Sequence, residues 1–449
     1  MNGKKNCNIT IFGSTGDLTY RKLMPALYHL YLRGKISSSS KIRAVGRRDF
    51  NSGSYHMQIK PFVKDSTRFN FNDSDFDEFS KLVSYHHLDF NKRSDMDAFC
   101  KTLNEDDNHL IYLAVAPKFF EVITDNFEML NNKDSVKVVI EKPFGSSLEN
   151  AKRLNRKLNN VFSKDNIYLI DHYLGKEMVQ SIQTIRFSNP LFKDCWNYKY
   201  IEKVEIFAFE LDGIKNRGSY YDGAGALKDM VQNHLLQILT IVALDNVENN
   251  DVYAAQMKVL NSIKAFDIND SDNKMVLGQY EGYLNEKDVA YNSKTETYAR
   301  VTVEIDNDRW KGTPFIIYTG KKLSERVMEV CLTFKSLDKN QSNVLSIKIQ
   351  PEEGVKFKFN IKKPGSVDEI ISTEMDFCQS CNLEFRLNTP EAYERLIDEC
   401  INSKKQLFSK WEQIEKSWYF VDNLRKWYNE KKLPLVIYTN GSDGFKIGD

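Results

Sequence analysis

The sequence has no apolar segment long enough to cross a membrane and no N-terminal secretory segment. It also has almost no net charge, because 63 basic and 62 acidic side chains leave only +1. A chain with this balance has no global attraction to nucleic acid or to a membrane surface, so any anion site must be built locally. No internal repeat or low-complexity linker is visible. We therefore expect a cytoplasmic globular protein that binds neither nucleic acid nor membrane.

Cysteine is too scattered for a disulfide framework. The seven cysteines are odd in number, which fits a reducing compartment. They are Cys7, Cys100, Cys195, Cys331, Cys378, Cys381 and Cys400. Only Cys378 and Cys381 have a spacing that suggests zinc, and they lack a second cysteine pair or a nearby histidine. We expect these two to be thiols in an amphipathic strand region, and we expect no metal.

The 449 residues are enough for two domains. The first part alternates short apolar strands with helical segments, which is typical of a parallel sheet covered on both faces. After about residue 178, strands with period-two alternation follow one another, which indicates a largely antiparallel sheet. We predict an α/β Rossmann-like dinucleotide-binding domain over 1–178. An α+β domain with a large, mainly antiparallel sheet, for substrate binding and dimerisation, is predicted over 179–449.

The individual elements follow from the same patterns. In the first part, strands are predicted over 8–12, 41–45, 109–115, 136–140 and 166–170, with helices over 18–32 and 148–162. In the second part, strands are predicted over 201–210, 298–305, 315–319, 327–334, 345–350 and 355–361. A long helix is predicted over 226–244, and a helical C-terminal part over 390–429.

A dinucleotide site is predicted where the first strand turns into the first helix. Glycines there let the backbone turn tightly and approach a pyrophosphate, whose charge is met by amides at the helix N-terminus. The cofactor contacts predicted in this turn are Gly13, Ser14, Thr15, Gly16, Asp17 and Leu18. Only two of the usual three glycines are present, so a plain strand-to-helix turn is the alternative.

The end of the second predicted strand indicates which dinucleotide is bound. A site for NAD usually carries Asp or Glu there, whereas this chain has Gly46 followed by Arg47 and Arg48. A guanidinium can pair with a 2′-phosphate through two hydrogen bonds. We therefore predict NADP, held by Arg47 with Arg48 as second choice; two solvated surface arginines are the alternative.

Four functional groups follow the strand predicted over 166–170. They are the carboxylate of Asp171, the imidazole of His172, the phenol of Tyr173 and the ammonium of Lys176. Ligands bind at this edge of open α/β sheets, and the mixture suits a phosphorylated, hydroxyl-rich substrate. A helix-capping Asp-His pair is the structural alternative.

His234 lies within a strongly apolar helical segment, five residues after Asp229. Oxidising an alcohol or hemiacetal needs a base that takes the hydroxyl proton as hydride leaves carbon for a nicotinamide, and a near-neutral imidazole suits that task. A carboxylate on its other nitrogen would fix the tautomer, and Asp171 is the candidate. The alternative is a satisfied histidine in the core.

These motifs, in this order, resemble the glucose-6-phosphate dehydrogenase family over essentially the whole chain. The matching segments are Gly13–Leu18, Glu141–Gly145, Ile170–Glu177, Arg217–Asp222, Met230–Gln237, Gly320–Arg326, Ile349–Pro351 and Gly441–Gly444. The chain is somewhat short for the family, and Gly223–Gly225 replaces bulkier residues. No signature of a second, structural NADP is visible.

The resemblance implies an NADP-dependent dehydrogenase that acts on the anomeric CH–OH of glucose 6-phosphate. It would release 6-phosphoglucono-1,5-lactone and NADPH, the first step of the oxidative pentose phosphate pathway, from a homodimer or homotetramer. His234 would be the base and Asp171 its partner. The other implied contacts are His172, Tyr173 and Lys176 to the 6-phosphate, Glu210 and Asp229 to sugar hydroxyls, Lys321, Arg326 and Gln350 around the pocket, Lys142 between cofactor and sugar, and Ala114 at the cofactor.

Two other functions stay open. Sugar dehydrogenases of the inositol and glucose–fructose oxidoreductase type also join a Rossmann domain to an open sheet and also use a Glu-Lys-Pro motif. They lack the cluster at 171–177, which counts against them here. A non-catalytic NADP-binding sensor on the same fold would tolerate losses at the base or the phosphate site, whereas this chain keeps both.

Overall fold

The computed structural model describes residues 6–66, 68, 70–103, 108–130, 133–245, 247, 251–337 and 341–447. In chain order the strands are β1 (Asn8–Phe12), β2 (Ile42–Gly46), β3 (Val83–His87), β4 (His109–Leu113), β5 (Val136–Ile140), β6 (Ile167–Ile170), β7 (Ile201–Phe209), β8 (Met275–Tyr280), β9 (Tyr298–Glu304), β10 (Pro314–Gly320), β11 (Val327–Phe334), β12 (Val344–Gln350), β13 (Gly354–Lys362), β14 (Ile370–Cys378), β15 (Phe408–Ser409) and β16 (Val436–Tyr438).

In chain order the α-helices are α1 (Met24–Leu32), α2 (Ser52–Ser66), α3 (Asp73–Ser80), α4 (Arg93–Leu103), α5 (Phe120–Asn126), α6 (Leu148–Val161), α7 (Glu177–Phe187), α8 (Pro190–Lys193), α9 (Gly218–Ala226), α10 (Leu236–Ala243), α11 (Val252–Ser262), α12 (Leu383–Asn388), α13 (Ala392–Ile401) and α14 (Trp411–Lys431). Two π-helical segments, Thr19–Leu23 and Leu227–Leu235, precede α1 and α10. In the part of the chain that the structure describes, no helix is both long and apolar enough to span a membrane.

The chain divides into two compact units. The first contains Met1–Gly175 and Thr389–Trp411, and the second contains Lys176–Asn388 and Glu412–Asp449. The division at Gly175 lies close to the boundary predicted at 178. The late segment Thr389–Trp411 joins the first unit, which the sequence pattern did not indicate.

The first unit is built on a seven-stranded sheet in the order β15-β6-β5-β4-β1-β2-β3. Strands β1 to β6 pair in parallel, and only β15 runs antiparallel to its neighbour β6. Strands β1, β2, β4 and β5 are buried along their whole length, as expected when helices cover both faces. The strand order reverses on either side of β1, which is where such sheets bind dinucleotides. The Rossmann-like prediction is confirmed.

The second unit is built on a nine-stranded sheet in the order β14-β13-β12-β11-β7-β10-β9-β8-β16. Only the pairs β7–β10 and β8–β16 are parallel, so the prediction of a mainly antiparallel sheet is confirmed. The sequence pattern did not indicate β8 or β16, and it indicated β14 only as an amphipathic strand region around Cys378.

Two helix predictions were too simple. The helix predicted over 226–244 is divided into the π-helical segment Leu227–Leu235 and α10. Before this segment, Gly225 has φ +66°, and a Cβ there would overlap the Glu296 carboxylate. The helical part predicted over 390–429 is interrupted by β15, which pairs with β6.

The expectation of two thiols at Cys378 and Cys381 was wrong. The two cysteines form a disulfide at the end of β14. The other five cysteines are not in disulfides.

Thr389–Trp411 is anchored to the first unit by the buried carboxylate of Glu394. His29 Nδ1 lies 3.0 Å from Glu394 Oε1, and Arg68 Nη2 donates to Glu394 Oε2 at 2.8 Å. Burial alone would raise the pKa of Glu394, but the hydrogen bond to His29 and the charge of Arg68 lower it below the ordinary value. The ionised form is therefore the one that stabilises the fold.

We predict that Glu394→Gln lowers the free energy of unfolding by about 2–4 kcal/mol at pH 7, because it leaves Arg68 without its buried countercharge. Since the folded-state pKa is lowered, the stabilisation is complete above the ordinary value of 4.5 and is lost as pH falls through the folded-state pKa. Urea unfolding from pH 7 down to pH 3 measures both effects. Glu78→Gln, in α3 at an exposed pair with Lys81, is the control and should cost under about 1 kcal/mol. Equal losses for the two variants would contradict the anchoring role.

Candidate active site

The turn after β1 has the close backbone packing of a dinucleotide-binding loop. Gly13 has φ +84°, and a Cβ there would overlap Ala114 O. The amides of Gly13 and Ser14 each donate to Val45 O at 3.0 Å, which fixes the turn beside β2. Gly16 N–H then donates to Gly13 O at 3.0 Å, and the helical segment starts directly afterwards. The predicted turn over Gly13–Leu18 and the predicted contact residue Ala114 thus lie next to each other at the carboxyl end of β1.

Arg47 and Arg48 are exposed and follow β2 directly, beside this turn. The Arg47 guanidinium lies over the Phe119 ring, 5.4 Å from its centroid. Arg48 O accepts a hydrogen bond from Tyr85 Oη at 2.6 Å, which fixes the backbone there. Positive charge is therefore held at the end of β2, where the 2′-position of a bound dinucleotide would lie. The residues present fit NADP.

Lys142 and Asp171 form a buried ion pair in the first unit. Lys142 Nζ donates to Asp171 Oδ2 at 2.8 Å, and Tyr173 N–H donates to Asp171 Oδ1 at 3.0 Å. Burial lowers the pKa of Lys142, and the neighbouring Asp171 opposes that shift. Both carboxylate oxygens of Asp171 are thus held by donors, which fixes the carboxylate's orientation.

A second carboxylate, Glu141, lies behind this pair. Tyr112 Oη donates to Glu141 Oε1, and Tyr393 also hydrogen-bonds the carboxylate. Burial raises the pKa of Glu141 to about 7, although these hydrogen bonds oppose the shift. Tyr393 in turn stacks on the His172 imidazole, with centroids 6.1 Å apart and planes 10° apart. His172 is therefore oriented by a residue from Thr389–Trp411.

In the second unit, strand register brings four predicted residues to one edge of the sheet. β7 and β10 are parallel, and Phe209 pairs with Gly320, so the residues that follow them, Glu210 and Lys321, emerge side by side. β11 starts at the same edge, with Arg326 just before it, and Gln350 at the end of β12 pairs with Met328. Glu210, the neighbouring Lys321 and Arg326, and Gln350 come from three distant parts of the sequence and share this edge because of the strand pairing.

Lys321 is the centre of a charged cluster at this edge. Its Nζ donates to Glu210 Oε2 at 2.6 Å and lies 4.0 Å from Asp229 Oδ2. Tyr220 Oη donates to Asp229 Oδ1 at 3.0 Å, and Arg217 Nη2 lies 3.6 Å from the same oxygen. The two carboxylates can accept hydrogen bonds from neighbouring sugar hydroxyls, and the lysine can donate hydrogen bonds to them.

His234 and Asp229 both lie in the π-helical segment Leu227–Leu235. A π-helix closes its hydrogen bonds from i to i+5, so residues five apart come into line along one face. The Asp229–His234 spacing is five, so both residues lie on one side of this segment. His234 is buried, and its segment packs against β10, whose end carries Lys321.

Lys176 precedes α7, and its Nζ donates to the side-chain oxygen of Gln350. The structure thus connects a residue of the predicted phosphate site with one of the predicted pocket residues. The carboxamide holds the ammonium in place without neutralising its charge, which leaves the cation able to bind an anion.

Five residues of these clusters were not assigned from the sequence: Tyr112, Glu141, Arg217, Tyr220 and Tyr393. Glu141 lies inside the recognised motif Glu141–Gly145, and Arg217 and Tyr220 lie inside Arg217–Asp222. Their polar side chains within these motifs could have identified them as site residues. Tyr393 carried no such signal, because its contact with Glu141 depends on how Thr389–Trp411 folds back onto the first unit.

Comparison with known proteins gives matches over both parts of the chain. Residues 10–181 match the model of the glucose-6-phosphate dehydrogenase NAD binding domain, and residues 183–448 match that of its C-terminal domain. A glucose-6-phosphate 1-dehydrogenase of Bacillus subtilis (strain 168) is 35% identical over 473 residues, covering 98% of this chain and 95% of that protein. The Borreliella burgdorferi protein of the same name is 37% identical over 466 residues, with 98% and 95% covered. A solved glucose-6-phosphate dehydrogenase in complex with glucose-6-phosphate superposes with a TM-score of 0.89 at 32% identity, covering 98% of this chain and 96% of that one.

We predict that Arg47→Ala weakens NADP binding about tenfold or more and leaves NAD binding nearly unchanged, because only NADP has the 2′-phosphate that a guanidinium pairs with. Titration of each dinucleotide against protein fluorescence measures both affinities. Arg33→Ala, at an exposed arginine after α1, is the matched control. If the ratio of the two affinities is retained in Arg47→Ala but lost in Arg48→Ala, the role belongs to Arg48.

Proposed function

The chain belongs to the glucose-6-phosphate dehydrogenase family, and we propose that His234 is the base of its reaction and Asp171 the residue that orients the imidazole. The reaction oxidises D-glucose 6-phosphate at the anomeric carbon to 6-phospho-D-glucono-1,5-lactone, the first step of the oxidative pentose phosphate pathway. The cofactor is NADP. The two other functions considered from the sequence, an inositol-type dehydrogenase and a non-catalytic sensor, are not supported.

The observation that carries the proposal is the fixed carboxylate of Asp171. Lys142 and the Tyr173 amide hold its two oxygens, so it is ionised, buried and restricted to one orientation. A carboxylate of this kind can hold a neutral imidazole in one tautomer and stabilise the imidazolium that forms.

Proton and hydride leave the substrate in different directions. His234 takes the proton of the C1 hydroxyl, the oxygen keeps that bonding pair, and the C1–O bond becomes a carbonyl. Bound NADP supplies the acceptor for the hydride that leaves C1. His234 becomes positively charged when it takes the proton. The negative charge of Asp171 balances that charge and so stabilises the imidazolium.

The remaining residues hold the sugar and its phosphate. We assign the 6-phosphate to His172, Tyr173 and Lys176, since the orientation of His172 by Tyr393 and of Lys176 by Gln350 supports a preformed anion site. We assign the sugar hydroxyls to Glu210, Asp229 and Lys321, whose mutual hydrogen bonds support a polar surface ready to exchange partners. We assign Arg326 and Gln350 to the rim of the pocket, and Lys142 to the place where cofactor and sugar would meet.

We predict that His234→Asn lowers kcat roughly 100- to 10,000-fold with little change in KM for glucose 6-phosphate, because the amide keeps a polar group but cannot accept the proton. Steady-state formation of NADPH measures both constants. His87→Asn, at an exposed position at the end of β3, is the matched control and should behave as the unaltered chain. A loss of kcat below about tenfold would place the base elsewhere.

We predict that Lys176→Ala raises KM for glucose 6-phosphate about tenfold or more, because the phosphate loses one charged donor. Turnover of unphosphorylated glucose, measured at high concentration, should be the same in the variant and the unaltered chain, since that substrate has no phosphate to bind. Lys193→Ala, at an exposed position at the end of α8, serves as control. An unaltered KM for the sugar phosphate would remove Lys176 from the phosphate site.

We also propose a homodimer or homotetramer in the cytoplasm. Ile361, Val367, Ile370 and Met375 expose apolar side chains on the outer hairpin of β13 and β14, and such a patch on an edge strand favours pairing with a second copy. Five cysteines outside disulfides fit a reducing compartment. Sedimentation velocity and cell fractionation test these two points; a monomer at micromolar concentration, or recovery outside the cytoplasm, would contradict them.

A further inference from the structure

The disulfide between Cys378 and Cys381 has no role in the reaction described above. Cys378 is the last residue of β14, and Cys381 lies three residues later, so the disulfide closes a very short loop. Cys381 is exposed and Cys378 is half-buried. The bond is therefore open to attack by a reagent in solution.

Hydrogen bonds connect this loop to the turn between β12 and β13. The amides of Gln379 and Ser380 donate to Glu353 O at 2.7 and 3.2 Å. Glu353 N–H donates in return to Ser380 Oγ at 3.1 Å. A Cβ at Gly354 would overlap Phe377 O, so the two backbones approach closely at this point. A change in the loop is therefore transmitted directly to the turn.

The other end of the same turn is the predicted pocket residue Gln350. Only Pro351 and Glu352 separate it from Glu353. The side-chain oxygen of Gln350 accepts the hydrogen bond from Lys176. The loop closed by the disulfide and the ammonium assigned to the 6-phosphate thus lie at opposite ends of one short, hydrogen-bonded turn.

We propose that Cys378 and Cys381 form a reversible thiol–disulfide exchange site for dithiols, and that the closed disulfide holds Gln350 against Lys176. The inference rests on the phosphate-binding role proposed for Lys176. When the disulfide is open, the loop gains conformational freedom, the turn at Glu353 is restrained less, and Lys176 loses a fixed partner. Sugar-phosphate binding weakens, while the base and the carboxylate that orients it are unchanged.

The exchange balances with a dithiol as the reductant. A thiolate of the dithiol attacks Sγ of the exposed Cys381, the bond between the two cysteines breaks, and Cys378 leaves as a thiolate. The second thiolate of the reagent then attacks the mixed disulfide, which releases Cys381 and the reagent as a cyclic disulfide. Two electrons pass to the protein, and the two thiol protons of the reagent end on the two cysteines.

Four of the five other cysteines are poor competitors for this chemistry. Cys7, Cys100 and Cys400 are buried. Burial raises the pKa of the Cys100 thiol to about 12, and it also raises the pKa values of Cys331 and Cys400. Because the thiolate is the reactive form, these side chains exchange slowly. In a reducing compartment, a disulfide is typically transient and redox-sensing, which is the behaviour proposed here.

The test measures kcat and KM for glucose 6-phosphate in the full chain, first oxidised with oxidised dithiothreitol and then reduced with dithiothreitol. Alkylation and peptide mass spectrometry give the state of each cysteine. We expect reduction to expose Cys378 and Cys381 together and to raise KM roughly three- to tenfold, the scale of one typical net hydrogen bond, because the contact with Lys176 is loosened; kcat and KM for NADP stay unchanged.

Three variants separate this path from a general loss of stability. Cys378→Ser combined with Cys381→Ser should have the raised KM and no response to dithiothreitol. Cys195→Ser, at a cysteine outside the disulfide, should respond as the unaltered chain does. Gln350→Ala should raise KM and remove the response, because the path to Lys176 runs through that side chain.

An unchanged KM after verified reduction would overturn the proposal. So would a response that persists in the double serine variant, or a chain in which all seven cysteines are alkylated after the oxidation step. Failure of the phosphate assignment is recognised separately, because Lys176→Ala tests it without altering either cysteine.

Discussion

The buried ion pair between Lys142 and Asp171 is the constraint on which the rest of the site depends. The two residues follow β5 and β6, which are paired parallel neighbours, so the sheet itself brings them together. Both side chains are buried, and an unpaired charge in the protein interior costs several kcal/mol of free energy, so the lysine and the aspartate stay paired. The pair therefore keeps a carboxylate ionised and fixed at the edge of the sheet, where it can orient a base.

The strand ends that carry this chemistry could be predicted from the sequence. Val136–Ile140 is found as predicted, and Ile167–Ile170 differs from the prediction by one residue, because short apolar runs between turn residues give a clear local signal. The same holds for β7 and β10, which carry Glu210 and Lys321. Residues that directly follow such strands lie at one edge of the sheet, whatever conformation the loops adopt. Candidate site residues could therefore be chosen before the strand pairing was known.

Features that depend on distant contacts could not be predicted. Tyr393 reaches Glu141 only because Thr389–Trp411 folds onto the first unit, and a local pattern contains no information about that. The π-helical segment Leu227–Leu235 has the apolar pattern of an ordinary helix, so its altered hydrogen bonding was not visible. The disulfide between Cys378 and Cys381 was missed because the odd number of cysteines argues only against a framework of several disulfides. It does not exclude a single disulfide between two neighbouring cysteines.

The central claim is that Asp171 acts through His234, and the most direct measurement is a double-mutant cycle on kcat for glucose 6-phosphate oxidation. The cycle uses Asp171→Asn, His234→Asn and the two substitutions combined. If the carboxylate serves only to orient the base, removing it from a chain that already lacks the base has no further effect. The account then predicts a combined variant within about twofold of His234→Asn. Losses that multiply, so that the combined variant is slower by the full factor of each substitution, would contradict it.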